Sequence, residues 1–148
     1  MSDANPSAKA PPAKSLPALS SLNRPFWEGA ARGRLMLQKC GACGHVRFPL
    51  GPVCTHCLSP ETEWAEMSGR GTVLSHLVFH QVYSAAWRND VPYSVVMVEL
   101  DEGARLFSNI VTHDGSDIES DLVGSRVEAV FDTLSNEIGL LKFKPAAT

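Results

Sequence analysis

Four cysteines, and no others, stand in this chain as Cys40-Gly41-Ala42-Cys43 and Cys54-Thr55-His56-Cys57, with ten residues between the pairs. Two Cys-x-x-Cys knuckles joined by a short connection are what a closed tetrahedral metal site needs. Each knuckle chelates with two sulfurs, and the connection brings the two corners together. No cysteine is left over to signal an open coordination position, so the metal is expected to be structural, with Cys40, Cys43, Cys54 and Cys57 as its ligands. Zinc is the default. Iron held as in rubredoxin also accepts four thiolates, and spacing does not separate the two.

Other uses of the cysteines fit less well. A thioredoxin-like redox pair needs one Cys-x-x-Cys opening a helix in a βαβ setting, with no second pair to explain. Here Gly44-His45-Val46-Arg47-Phe48-Pro49 reads as a turn and a short strand. Two disulfides would suit an exported chain, and residues 1–20 show no apolar segment of a secretory signal. With four sulfurs present, His45 and His56 read as surface residues or as groups just outside the metal's ligands. His76 and His80 have a spacing that binds zinc on a helix, but Val73-Leu74-Ser75-His76-Leu77-Val78-Phe79-His80 is β-prone and lacks the glutamate of a metalloprotease motif.

The elements that position these residues follow from pattern. Residues 1–20 hold four prolines and few bulky apolar groups, so they read as a disordered arm. Residues 21–67 read as a short helix and the four-cysteine ribbon. Asn23 is a candidate N-cap, Pro25 is tolerated in the first turn, and Gly33 is a natural stop. Phe26 with Ala30, and Trp27 with Ala31, form an apolar stripe at i,i+4 spacing. Leu35-Met36-Leu37-Gln38-Lys39 enters the first knuckle as a strand. A ribbon of this size is not self-sufficient without its metal.

Residues 68–148 carry five β-segments, at 71–82, 93–101, 104–111, 126–133 and 138–144, separated by turn signals. Asp101-Glu102-Gly103 joins the second and third, and a longer polar connection opens at His113. The second and third segments have apolar residues at both parities. That suits strands curling around a small barrel better than a sheet with one wet face. Five strands with a long connection after the third fit an OB-type barrel. The expected class is mostly β: an N-terminal helix, a rubredoxin-like ribbon and a five-stranded OB barrel.

Charge narrows the function. The net charge is −3, distributed unevenly. Asp90 to Glu137 contains eleven acidic residues against Arg105 and Arg126, whereas Asn23 to Arg47 holds Arg24, Arg32, Arg34, Lys39 and Arg47 against Glu28. Single-strand nucleic-acid binding needs a cationic groove with stacking aromatics, and the acidic barrel argues against it. The basic cluster reads as a solvated face or as a contact for ligand phosphates or an acidic partner. No apolar run approaches the roughly 18–20 residues that span a bilayer, and a cytoplasmic location is expected.

The run Phe26-Trp27-Glu28-Gly29, Gly33-Arg34-Leu35, Cys40-Gly41-Ala42-Cys43-Gly44, Phe48-Pro49 and Cys54-x-x-Cys57 resembles the zinc-ribbon/OB-fold family called domain of unknown function 35. The likeness continues through Trp64, Ser68-Gly69-x-Gly71-Thr72-Val73, Pro92-Tyr93, Val98-Glu99-Leu100-Asp101-Glu102-Gly103, Gly124 and Leu141-Lys142-Phe143, covering about residues 22–144. The chain departs from the family between the knuckles, where Phe48-Pro49-Leu50-Gly51 and Cys54-Thr55 replace Phe-Pro-Pro-Arg and Cys-Pro.

The resemblance implies a small, non-catalytic subunit beside a thiolase-fold enzyme acting on acyl-CoA. Such enzymes include thiolases, steroid side-chain retro-aldolases, archaeal acetoacetyl-CoA assemblies and a polyketide-type acyltransferase. The partner supplies the catalytic groups; the small subunit stabilises the hetero-oligomer and helps enclose the acyl-CoA. This agrees with the residues themselves, which show no nucleophile with an oriented base. Two other classes stay open: a nucleic-acid-binding module and a free-standing acyl-CoA-binding protein. Candidate partner- or ligand-facing residues are Phe26 and Trp27 on the helix, and Tyr83, Trp87 and Arg88 in the loop between the first two barrel strands. Exposed aromatics and arginine are enriched at hot spots. Tyr83 and Trp87 could equally cap the barrel end, and the helix pair could simply pack on the ribbon.

Overall fold

The computed structural model describes residues 13–111 and 121–146. A helix, α1 (Arg24–Ala31), is followed by β1 (Met36–Cys40), β2 (Val46–Arg47) and β3 (Thr62–Glu66), which form an antiparallel sheet in the order β2-β1-β3. The strands β4 (Arg70–Phe79), β5 (Tyr93–Leu100), β6 (Arg105–Ile110), β7 (Arg126–Thr133) and β8 (Gly139–Pro145) close into a barrel in the order β4-β5-β6-β8-β7. Every pairing is antiparallel except β6 with β8. This is the five-stranded OB arrangement expected from the sequence. The expected polar connection opening at His113 lies outside the described residues.

Local chemistry explains the element ends. Pro25 sits in the first turn of α1 and Gly33, at φ +75°, ends the run. Asn23 does not cap the helix. Its backbone is already in the right-handed region (φ −109°, ψ −10°), where a capping residue would be extended. Its side chain turns back instead, with Oδ1 accepting from the Ser20 N–H at 2.8 Å and Nδ2 donating to the Ala18 carbonyl at 3.0 Å. The turn after β5 closes as Gly103 donates to the Leu100 carbonyl and Leu100 to that of Ala104. Asp101 and Glu102 in this turn are both engaged. Asp101 takes a two-pronged bond from Arg126 at 2.7 and 2.8 Å, and Glu102 accepts from the Ser68 hydroxyl at 2.7 Å.

A β-bulge at Leu74 resets the side-chain alternation of β4. Val73 pairs with Val98, but the next pairs are Ser75 with Met97 and His76 with Val96. His76 therefore shares the inward face of Val96, and His80 follows the end of the strand. Outside the barrel, Leu77 and Phe107 at the other parity are left uncovered, 60% and 65% exposed, while Val95 and Met97 are half-buried.

One apolar core joins the two sheets. Val73, Val96, Val98, Leu100, Leu106, Val127 and Phe143 from the barrel pack in the same cluster as Phe26, Leu35, Leu37 and Met67. α1 lies against β7 and β8. At Gly139 the strand comes so close that a Cβ would fall onto the backbone of Ala30 and Ala31, a position that only glycine fits.

Candidate metal centre and partner-facing surface

The two knuckles are built alike. In the first, Gly44 donates to the Cys40 carbonyl at 3.0 Å and Cys40 to the His45 carbonyl at 2.9 Å. In the second, Leu58 donates to the Cys54 carbonyl and Cys54 to the Ser59 carbonyl, both at 2.9 Å. Each turn then aims backbone N–H groups at its first sulfur. Ala42 and Cys43 point at Cys40 Sγ, and His56 and Cys57 at Cys54 Sγ, at 3.3–3.5 Å. The four sulfurs lie within 4.8 Å of one another, with Cys40–Cys57 at 3.6 Å and Cys43–Cys54 at 3.7 Å. Tetrahedral zinc with Zn–S bonds of about 2.3 Å sets sulfurs about 3.8 Å apart, so the residues fit the ion.

The proton chemistry points the same way. The Cys43 N–H, helped by that of Ala42, draws the Cys40 thiol down to about 6 against the effect of burial. The N–H of Cys57 likewise lowers Cys54. Cys43 goes the other way. The His45 N–H pulls it down, but desolvation and the neighbouring sulfurs outweigh that and push it up to about 12. Four sulfurs this close resist ionising together without a cation between them; a divalent ion removes that conflict. His45 and His56 are exposed and stack on each other at 5.3 Å, outside the sulfur cluster.

The partner-facing candidates divide. Phe26 is a correction: it is 8% exposed, packs on Trp27 and Phe48, and belongs to the core. The apolar stripe of Phe26 and Ala30 faces inward. Trp27 is half-buried and lines a cavity of about 800 Å³. Trp87, Tyr93 and Ile110 also line it, and so do Leu16 and Pro17 of the N-terminal segment. Its size and mostly apolar walls are those of a small-molecule site. Tyr83 is 68% and Trp87 43% exposed, so neither serves as core at the barrel end; Arg88 beside them is exposed. Rings run continuously here, with Phe79 stacked on Tyr93 at 5.3 Å and Tyr83 edge-on to Phe79 at 6.0 Å.

The placement of three charged residues escaped the sequence. Lys14, in the segment expected to be a disordered arm, pairs with Asp90 at 2.8 Å and lies 4.4 Å over the Trp87 ring. Arg47, counted with the basic face, is buried. Arg24, at the other end of that cluster, is engaged by Glu28 and Glu137.

Residues 27–63 match the family described as the rubredoxin-like zinc ribbon domain of ChsH2, and residues 64–132 its C-terminal OB-fold domain. A probable enoyl-CoA hydratase alpha subunit of Thermomonospora curvata is 37% identical over 132 residues, covering 88% of this chain; the chain spans only 39% of that protein's length. A DUF35 domain-containing scaffold protein of Methanothermobacter thermautotrophicus is 36% identical, over 77% of this chain and 88% of the relative. A solved chain described as Ltp2-ChsH2(DUF35) aldolase superposes with a TM-score of 0.76 at 36% identity, covering 89% of this chain and all of that one. With its knuckles, barrel order and relatives in agreement, the chain belongs to the DUF35 family of zinc-ribbon/OB-fold proteins.

Proposed function

We propose that this chain is the small accessory subunit of a thiolase-fold enzyme, a thiolase or a retro-aldolase, that acts on acyl-CoA. The observation that carries the reading is the likeness, at 36% identity and over 89% of this chain, to the chain described as Ltp2-ChsH2(DUF35) aldolase. Relatives named as a hydratase subunit and as scaffold proteins support it. In this role Cys40, Cys43, Cys54 and Cys57 hold a structural zinc. All four sulfurs are then spent on the ion, which leaves none as an acyl-accepting nucleophile. The metal supplies cross-linking of the knuckles, and the catalytic groups come from the partner.

The aromatic cavity bounded by Trp27, Trp87 and Tyr93 is the part of this subunit that would complete the acyl-CoA enclosure. Tyr83, Trp87 and Arg88 would form the adjoining contact with the partner. The test is purification of the tagged chain from its native host at low salt, with co-purifying chains identified by mass spectrometry. A stoichiometric thiolase-fold partner is expected, with turnover of acyl-CoA esters by the pair. Recovery of the chain alone or with nucleic acid would overturn the reading. Calorimetry of the isolated chain with CoA esters separates a free-standing acyl-CoA binder, which would bind without any partner.

A further inference from the structure

Arg47 is 3% exposed, and a guanidinium does not lose its proton when buried. It lies on β2 directly opposite Gln38 of β1. Gln38 shares a face with Cys40, two residues further along the same strand. Nη2 donates to Thr62 Oγ1 at 2.7 Å, and Thr62 is the residue opposite Cys40 on β3. The same nitrogen donates to the Gly51 carbonyl at 3.0 Å, while the Gly51 N–H donates to Gln38 Oε1 at 2.9 Å. The guanidinium thus sits beside the first knuckle and holds the connection that leads to the second. Nε and Nη1 are buried without hydrogen-bond partners. Among the described residues no carboxylate pairs with this side chain.

A buried charge left this way is costly unless a counter-charge lies near. Four thiolates around a divalent ion carry two negative charges in excess, and one of them, Cys40, lies on the sheet face that Gln38 and Thr62 share with Arg47. We propose that Arg47 is the internal counter-charge of the metal–tetrathiolate centre and a positioning residue that sets how tightly the metal is held. The inference rests on the four cysteines binding metal. Hydrogen bonding to Gly51 and Thr62 alone would make Arg47 a clamp, whose loss weakens the fold whatever its charge. A counter-charge differs in that a lysine can substitute for it and a neutral donor cannot.

The experiment compares the wild type, R47K and R47Q for zinc affinity by competition with a chromophoric chelator. Cobalt(II) absorption confirms four-sulfur coordination in each. R47Q is expected to bind zinc about tenfold or more weakly, and R47K to stay within about threefold of the wild type, the range seen for groups just outside metal ligands. Wild-type affinity in R47Q, or an equal fall in both variants, would overturn the proposal. Should R47Q not fold even with metal, R47K decides alone: affinity near wild type supports the counter-charge, and a tenfold loss overturns it. A wild type that takes up no metal would instead sink the metal reading itself.

Discussion

Gly44 and Leu58 hold the same place in the two knuckles, each one residue past the second cysteine, and both have left-handed backbones, at φ +77° and +66°. Glycine adopts this conformation without penalty, whereas a side chain brings Cβ against the following carbonyl. Leu58 is also 74% exposed, so its side chain gains little in return. Leu58→Gly is expected to stabilise the metal-loaded protein by about 0.5–1 kcal/mol. Urea unfolding monitored by tryptophan fluorescence checks the sign; a loss of stability would mean that Leu58 is held by contacts beyond its own turn.

Metal removal should act unevenly along the ribbon. Leu35, Leu37 and Met67 are packed into the core that continues through the barrel, and Met67 donates to the Leu35 carbonyl at 2.8 Å. The turns of the two knuckles, 41–44 and 55–59, place no residue in that core, although Val46, Phe48 and Leu50 between them pack against it. Chelation is expected to release one metal per chain and to abolish amide protection in the knuckle turns, 41–44 and 55–59, while Leu37 and the barrel strands keep theirs. Hydrogen exchange followed by mass spectrometry would show whether loss instead spreads across the whole 21–67 segment, as expected if the ribbon depended on metal alone.

A methyl group at Gly139 tests the seat of α1. Its Cβ would overlap the Ala30 and Ala31 backbone, which cannot swing aside as a flexible side chain would. Gly139→Ala should cost about 1–3 kcal/mol, the range for overpacking a filled contact. The Thr133 hydroxyl bond to the Ala31 carbonyl, at 3.2 Å, would be strained with it. Thermal unfolding of the variant at matched metal loading provides the measurement.

Acid stability has one clear contributor. The hydrogen bonds and charge of Arg126 hold the Asp101 carboxyl below its ordinary value of 3.8. A carboxyl depressed in the folded state stabilises the protein above its unfolded value and loses that contribution as pH falls through the folded one. The advantage in Tm of wild type over D101N should therefore be flat above about pH 5 and shrink below about pH 4. A constant difference across that window would show that Asp101 acts only through its place in the turn.

Trp87 separates surface recognition from barrel capping. Trp87→Ala is expected to leave stability within about 0.5 kcal/mol, as for most exposed positions, while lowering recovery of the partner. A large stability loss with full recovery would assign the ring to the fold instead.

How much was legible follows from which residues carry local signals. All five barrel strands lie close to their expected positions, because apolar runs were bounded by turn residues such as Asp101-Glu102-Gly103. The cysteine spacing announced the metal cluster. Arg47 looked like any surface cation: its burial comes from Gln38, Gly51 and Thr62, which meet it only when the sheet folds. The shifted parity after Leu74 depends on a bulge whose extra residue has no distinctive type. Asn23 has the right composition for a cap, but the chain before it offered its side chain better partners at Ala18 and Ser20.

The barrel closes on itself, β7 returning to β4, so it does not present a complete open strand for another chain to extend. Backbone pairing, which accepts almost any sequence, is thereby largely withheld from it. On the proposed reading, recognition would rest mainly on side chains such as Tyr83, Trp87 and the uncovered Leu77 and Phe107. On that reading, a few substitutions there would retarget the subunit while its interior stays unchanged.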